Sequence, residues 1–194
     1  MSWEELEARC RSCEKCPLSA TRHNVVFGVG PRNAEILLVG EGPGENEDLQ
    51  GEPFVGRAGK LLDEMLEIVG LSREKNVFIA NIVKCRPPGN RDPQPSEQAA
   101  CIGYLEEQIA LLKPKLAVCL GRIAAAVLIR PDFRISREHG QWTVKDGVRY
   151  MALYHPAALL RDPRKKPETF EDLLRLREAV REYCPETAAT CEFL

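Results

Sequence analysis

The feature that most limits how this chain can fold is the placement of its short apolar runs. Glu35–Val39 (EILLV), Val77–Val83 (VFIANIV) and Leu116–Leu120 (LAVCL) are strand-length, and each gives way to a loop rich in Gly or Pro. That is the pattern of buried strands. Elsewhere the apolar spacing becomes helical. Leu62, Met65, Leu66 and Val69 share one face of a helix over Gly59–Val69 that Gly70 stops. Ile102, Leu105, Ile109 and Leu112 share a face of another helix, which starts near Ser96. Ile123–Ile129 reads as an Ala-rich helix, and Glu168–Tyr183 as a last one carrying Phe170, Leu173, Leu174 and Val180. Ser2-Trp3-Glu4-Glu5 fits a capping box and so predicts a short helix at the start. Gln141–Lys145 and Val148–Leu153 flank Asp146-Gly147, a two-residue hairpin signal. Alternating strands and helices imply an α/β layered fold with a mainly parallel sheet. A chain of 194 residues suits one domain, here with an expected C-terminal tail over 184–194.

The unusual sequences GEGPGE, NIVKCRPP and YHP all follow predicted strands. Open α/β sheets bind ligands at the carboxyl ends of their strands, so the fold gathers these residues into one cleft. GEGPGE is not a phosphate cradle of the usual kinds: no GK[ST] follows it and Pro43 breaks G-x-G-x-x-G. It reads as a rigid turn presenting acidic side chains.

The start MSWEELEARC is polar and acidic, unlike a signal peptide, and the run Leu116–Leu120 is far too short to span a membrane. The expectation is a soluble, cytoplasmic protein. A net charge of −2 does not advertise a nucleic-acid partner. Two local basic stretches, Lys84–Arg91 and Arg161–Lys166, could still meet phosphates, although charge runs are usually solvated surface.

The chain has eight cysteines, which in a reducing compartment point to metal or redox chemistry. Cys13-x-x-Cys16 has metal-binding spacing, and Cys85 and Cys101 form a wider pair around a Pro-rich span that a metal would tie down. Four thiolates suit tetrahedral zinc or an iron–sulfur cluster. The second pair is not a tight zinc knuckle, which leans the reading toward iron–sulfur. Cys10 forms an overlapping C-x-x-C with Cys13, so spacing alone leaves the register open. Cys119 sits in a predicted core strand, and Cys184 and Cys191 are unassigned.

Gly40–Glu45 (GEGPGE), Gly51–Gly59 (GEPFVGRAG), Asn81–Pro88 (NIVKCRPP) and His155–Arg161 (HPAALLR), taken in this order with the cysteines, resemble a family 4 uracil-DNA glycosylase. The resemblance covers roughly residues 13 to 165. It implies a three-layer α/β/α domain with a mainly parallel four-stranded sheet. It also implies a [4Fe–4S] cluster on Cys13, Cys16, Cys85 and Cys101, and hydrolysis of the N-glycosidic bond of deoxyuridine in single- or double-stranded DNA. Cys16 is followed by Pro17-Leu18, which favours Cys13 over Cys10.

The residues can support that chemistry. Phe54 offers a stacking face for a flipped base, or is simply core. Asn81 presents a donor and an acceptor that match uracil O4 and N3–H, or satisfies a loop backbone. By resemblance, the backbone around Gly42–Glu45 would exclude thymine, and Glu41 and Gly42 would join Phe54, Asn81 and His155 around the uracil. His155 can stabilise negative charge developing on uracil O2. His23 and His139 have no comparable setting. In the best-known uracil glycosylases an Asp stands where this chain has Gly42, so positioning of the attacking water falls to Glu41, Glu47 or Asn90. At least two of Glu41, Glu45, Glu47 and Asp48 are expected to be plain surface charge. Leu159 and Leu160 could wedge into the duplex, with Arg161, Arg164, Lys165, Lys166 and Arg86 on phosphates. Rival readings are a glycosylase for hypoxanthine or other deaminated bases, a non-enzymatic DNA-binding module, and an iron–sulfur electron carrier. A sliding-clamp contact would have to come from the tail CPETAATCEFL, which carries no distinctive pattern.

Overall fold

A computed structural model describes residues 1–191; residues 192–194, the end of the expected tail, lie outside the described residues. The predicted parallel strands form where the apolar runs stand: β1 (Ile36–Gly40), β2 (Val77–Asn81), β3 (Leu116–Leu120) and β5 (Val148–Leu153). The first three are buried at every position, as strands covered on both faces must be. The sheet order is β2-β1-β3-β5, all neighbours parallel, and a fifth strand pairs antiparallel with the outer edge of β5. The fifth strand, β4 (Thr143–Lys145), is the first arm of the hairpin and joins the expected four as a short, exposed edge. Asp146 and Gly147 turn it with positive φ values of 52° and 81°.

Alternate strand residues face two layers. On one side α1 (Trp3–Arg11), α4 (Pro95–Leu112) and α5 (Arg122–Leu128) enclose a core with Leu37, Val39, Ala80, Ala117 and Cys119. On the other, α3 (Arg57–Ile68), α7 (Pro156–Arg161) and α8 (Lys166–Tyr183) pack on Ile36, Leu38, Ile79, Val118 and Met151. This is the three-layer α/β/α arrangement. In α8, Leu173 and Val180 are buried while Phe170 is exposed. Shorter helices among the described residues are α2 (Glu45–Gln50), α6 (Ile135–Glu138) and α9 (Pro185–Thr190). The first helix carries the capping box: Ser2 Oγ accepts from the Glu5 N–H, and Glu5 accepts from the Ser2 N–H.

β1 lies between β2 and β3, so the chain reverses direction across the sheet there. The carboxyl ends of β1, β2, β3 and β5 converge on that crevice, at Gly40, Asn81, Leu120 and Leu153. No described helix is long and apolar enough to cross a membrane. Ser2→Ala should cost about 1 kcal/mol of stability by loss of the cap, measured by urea denaturation.

Candidate active site and cysteine pocket

The crevice is a cleft of about 650 Å³ lined by Glu41–Glu47, Phe54, Asn81, Asn90, His155, Arg161 and Lys165, among others. Asn81 ends β2 opposite Gly40 of β1. Asn81 is 2% exposed, and among the described residues its Oδ1 is buried without a hydrogen-bond partner. A buried carboxamide oxygen left open in this way is costly unless a ligand completes it. A Cβ on Gly40 would collide with that oxygen and with the Phe54 ring, so the absent side chain at position 40 makes room for both.

Phe54 is held in a left-handed conformation, φ 54°. The guanidinium of Arg73 fixes this turn, donating to the Pro53 and Phe54 carbonyls at 2.6 and 2.7 Å. Gly59 backs directly onto the Phe54 carbonyl, where a Cβ has no room. The Phe54 ring lies 5.6 Å from the His155 ring, at 30° to it.

His155 caps α7. Its Nδ1 accepts the Ala157 N–H at 3.0 Å, which leaves the ring proton on Nε2. Burial holds its pKa down at about 4, with Arg161 pushing the same way and Glu47 opposing. The ring is thus a neutral N–H donor at physiological pH, suited to meet developing negative charge.

The acidic residues divide. Asp48 is buried and structural, accepting from the His23 backbone at 2.8 Å and meeting His23 Nδ1 at 2.6 Å. Glu45 is exposed. Glu47 Oε1 accepts the Val55 and Gly56 N–H groups at 3.0 and 3.1 Å, bracing the entry to α3. Asn90 Oδ1 accepts from Arg86 Nε at 2.7 Å. Glu41 makes no side-chain hydrogen bond among the described residues. Its pKa is raised by burial and by Asp92, against the pull of Arg122 and Arg161. Asp92 and Arg122, themselves an ion pair, line the cleft and were not legible in the sequence. The one available signal for Arg122 was its place after Gly121, at the end of β3.

Two parts of the expected DNA face need correction. Leu159 is 1% exposed and packs in the core with α8, so it cannot wedge into DNA from this position; Leu160, at 38%, is the exposed one. Lys84 is 1% exposed, so the basic stretch Lys84–Arg91 loses its first charge to the interior. Arg91 in that stretch is paired with Glu97 at 2.7 Å. Arg161 and Lys165 line the cleft, Lys166 is exposed, and Arg164 is exposed but paired with Asp162 at 2.8 Å. His139 meets Asp172 at 2.5 Å behind the cleft, a structural pairing like that of His23.

Cys13, Cys16, Cys85 and Cys101 line one pocket on the α1–α4 side, and Cys10 stands at the same pocket. Among the described residues, no three His, Cys, Asp or Glu side chains close on a single metal ion. N–H donors are aimed at the sulfurs: Arg22 Nη1 to Cys85 Sγ at 3.5 Å and the Lys84 N–H to Cys101 Sγ at 3.3 Å. Such donors suit thiolates that carry negative charge. Cys119 is a core residue, as expected.

A family model described as the uracil DNA glycosylase superfamily matches residues 27–176. The chain is 46% identical over 187 residues to a type-4 uracil-DNA glycosylase of Archaeoglobus fulgidus, covering 91% of this chain and 92% of that protein. It is 45% identical to a type-4 uracil-DNA glycosylase of Sulfurisphaera tokodaii (91% and 84% covered) and 44% identical to one of Saccharolobus solfataricus (88% and 82%).

Gly59→Ala should cost about 1–3 kcal/mol by forcing the Phe54 turn apart, read by urea denaturation. In the unfolded chain His155 takes a proton near its ordinary 6.5, but in the folded chain only near 4. The stability gained by keeping it neutral is therefore present above the unfolded value and lost as pH falls through the folded one. An NMR titration of the His155 ring should show a midpoint near 4, and one near 6.5 would contradict its burial.

Proposed function

The chain belongs to the uracil DNA glycosylase superfamily, and within it to the type-4 uracil-DNA glycosylases; from this we propose that its cleft hydrolyses the N-glycosidic bond of deoxyuridine in DNA. The product is free uracil and an abasic site, the opening step of base excision repair. The observation that carries this reading is the open Asn81 Oδ1, buried beside the Phe54 ring and within one cleft with His155.

A paired base is out of reach, so uracil must be flipped into the cleft. There Asn81 Oδ1 accepts from N3–H and its amide donates to O4, a pattern that cytosine meets poorly. Phe54 stacks on the base. Bond cleavage leaves negative charge on O2, and the His155 Nε2–H stabilises it without giving up its proton. Glu41 is the best placed of the three candidates to orient the water and to steady the cationic sugar. Glu47 and Asn90 have their side chains committed to local hydrogen bonds. Gly42 packs near Val83 and Pro87, and its loop forms the wall that would meet a C5 methyl group.

Leu160 replaces the flipped base in the stack, and Arg161, Lys165, Lys166 and Arg164 hold phosphates, with Arg86 at the far edge. Cys13, Cys16, Cys85 and Cys101 would hold a [4Fe–4S] cluster. When bound, that group supplies a cross-link and local negative charge, and no bond-making chemistry. Held through Cys85 and Cys101, the segment Arg86–Ala100 between them would be tied down beside the DNA face.

Purified protein should release uracil from a single-stranded oligonucleotide holding one uracil and leave a thymine control intact. Retention of the uracil by metal-loaded protein would overturn the reading in favour of a DNA-binding module. Glu41→Gln should lower kcat about 100-fold or more with little change in KM. His155→Ala should lower kcat by about 10²–10³-fold.

A further inference from the structure

Lys84 lies in the interior between the cleft and the cysteine pocket, 1% exposed. Its Nζ donates to the backbone carbonyl of Asn81 at 2.9 Å and to Gln108 Oε1 at 2.7 Å. Gln108 is itself fixed, since its Nε2 donates to the Phe27 carbonyl at 2.9 Å. Both acceptors of the ammonium among the described residues are neutral. A buried ammonium held only by neutral acceptors is costly unless an anion stands close. The groups whose negative charge would act on it are Cys101, Cys10 and Cys85 of the cysteine pocket, and the Lys84 backbone N–H also donates to Cys101 Sγ at 3.3 Å. Asn81, at the other end of the side chain, is the residue assigned to read uracil. The neighbouring Ile82 N–H is tied to the Gly40 carbonyl at 3.0 Å, so the Lys84 contact is the second of two anchors on the Asn81 peptide.

We propose that Lys84 is a positioning residue that couples the four-thiolate centre to the uracil-reading Asn81. The charge of the centre keeps the ammonium in the interior. The ammonium in turn holds the Asn81 carbonyl, and with it the carboxamide, in place for the base. The inference rests on the glycosylase reading above and deepens it: the metal centre serves base recognition, through one side chain, as well as loop anchoring.

Holoprotein carrying Lys84→Met keeps most of the apolar stem and loses the charge and the donors. Iron content should stay unchanged while the affinity for free uracil falls about tenfold, equivalent to the loss of one well-made contact. The midpoint potential of the cluster should move negative, because a buried cation beside it favours the reduced, more negative state. Gln108→Glu gives the ammonium its own carboxylate. It should move the potential in the same direction while uracil affinity is kept. A residue that merely fills space would move neither quantity. Folded, iron-replete Lys84→Met with unchanged uracil affinity and unchanged potential overturns the proposal. If Lys84→Met does not fold, an unchanged potential in Gln108→Glu overturns it. If the bound metal is zinc, which has no such potential, the uracil affinity of the two variants decides. Failure of the unmodified protein to release uracil would instead count against the glycosylase reading itself.

Discussion

The pairing of β1 with β2, which sets Gly40 against Asn81 at the carboxyl ends of the two strands, is the contact on which the site depends. A parallel sheet with both faces covered fixes register tightly, because a slip of one residue would turn Asn81 away and bring an apolar side chain into its place. In the observed register the missing side chain of Gly40 leaves space that the Asn81 carboxamide and the Phe54 ring both use. Phe54 can enter that space only because its strained turn is clamped by Arg73 and because Gly59 lets the backbones meet. Strain in the turn is thus balanced by hydrogen bonds outside the cleft, and the ring is in position before any ligand arrives.

The electrostatics follow the same plan. Burial keeps His155 neutral, and its bond from the Ala157 N–H fixes which nitrogen carries the proton. On the same cleft, Glu41 is pulled upward by burial and Asp92 and downward by Arg122 and Arg161. One donor and one carboxylate therefore face the same cleft, burial disfavouring the charged form of each and Arg161 lowering both pKa values. A site that cleaves a bond between an anionic leaving group and a cationic sugar needs such a pair. The interior cation Lys84 connects this arrangement with the cysteine pocket on the other face of β2.

Much of this was legible in the sequence because the signals were local. Strand length, the helical spacing of Leu62, Met65 and Leu66, the Ser2 capping box and Asp146-Gly147 all depend on near neighbours, and each matches the fold. The short helices α2, α7 and α9 follow Gly or begin with Pro, and their few residues leave no periodicity to read. What the sequence withheld was direction. Leu159 and Leu160 are adjacent and alike, and only the packing of α7 against α3 and α8 decides which one faces the core. Lys84 sits in a basic run, and nothing in that run tells that its side chain turns inward to Asn81 and Gln108. Asp92 and Arg122 meet across 30 residues of chain, a separation that no motif spans.

The central claim is that the open Asn81 carboxamide reads the base, and side-chain amide NMR tests it most directly. With 15N-labelled protein, the Asn81 Nδ2 resonances, assigned through an Asn81→Ala control, should shift saturably as free uracil is added and stay in place with thymine. Equal shifts with both bases, or none with uracil, would contradict the account.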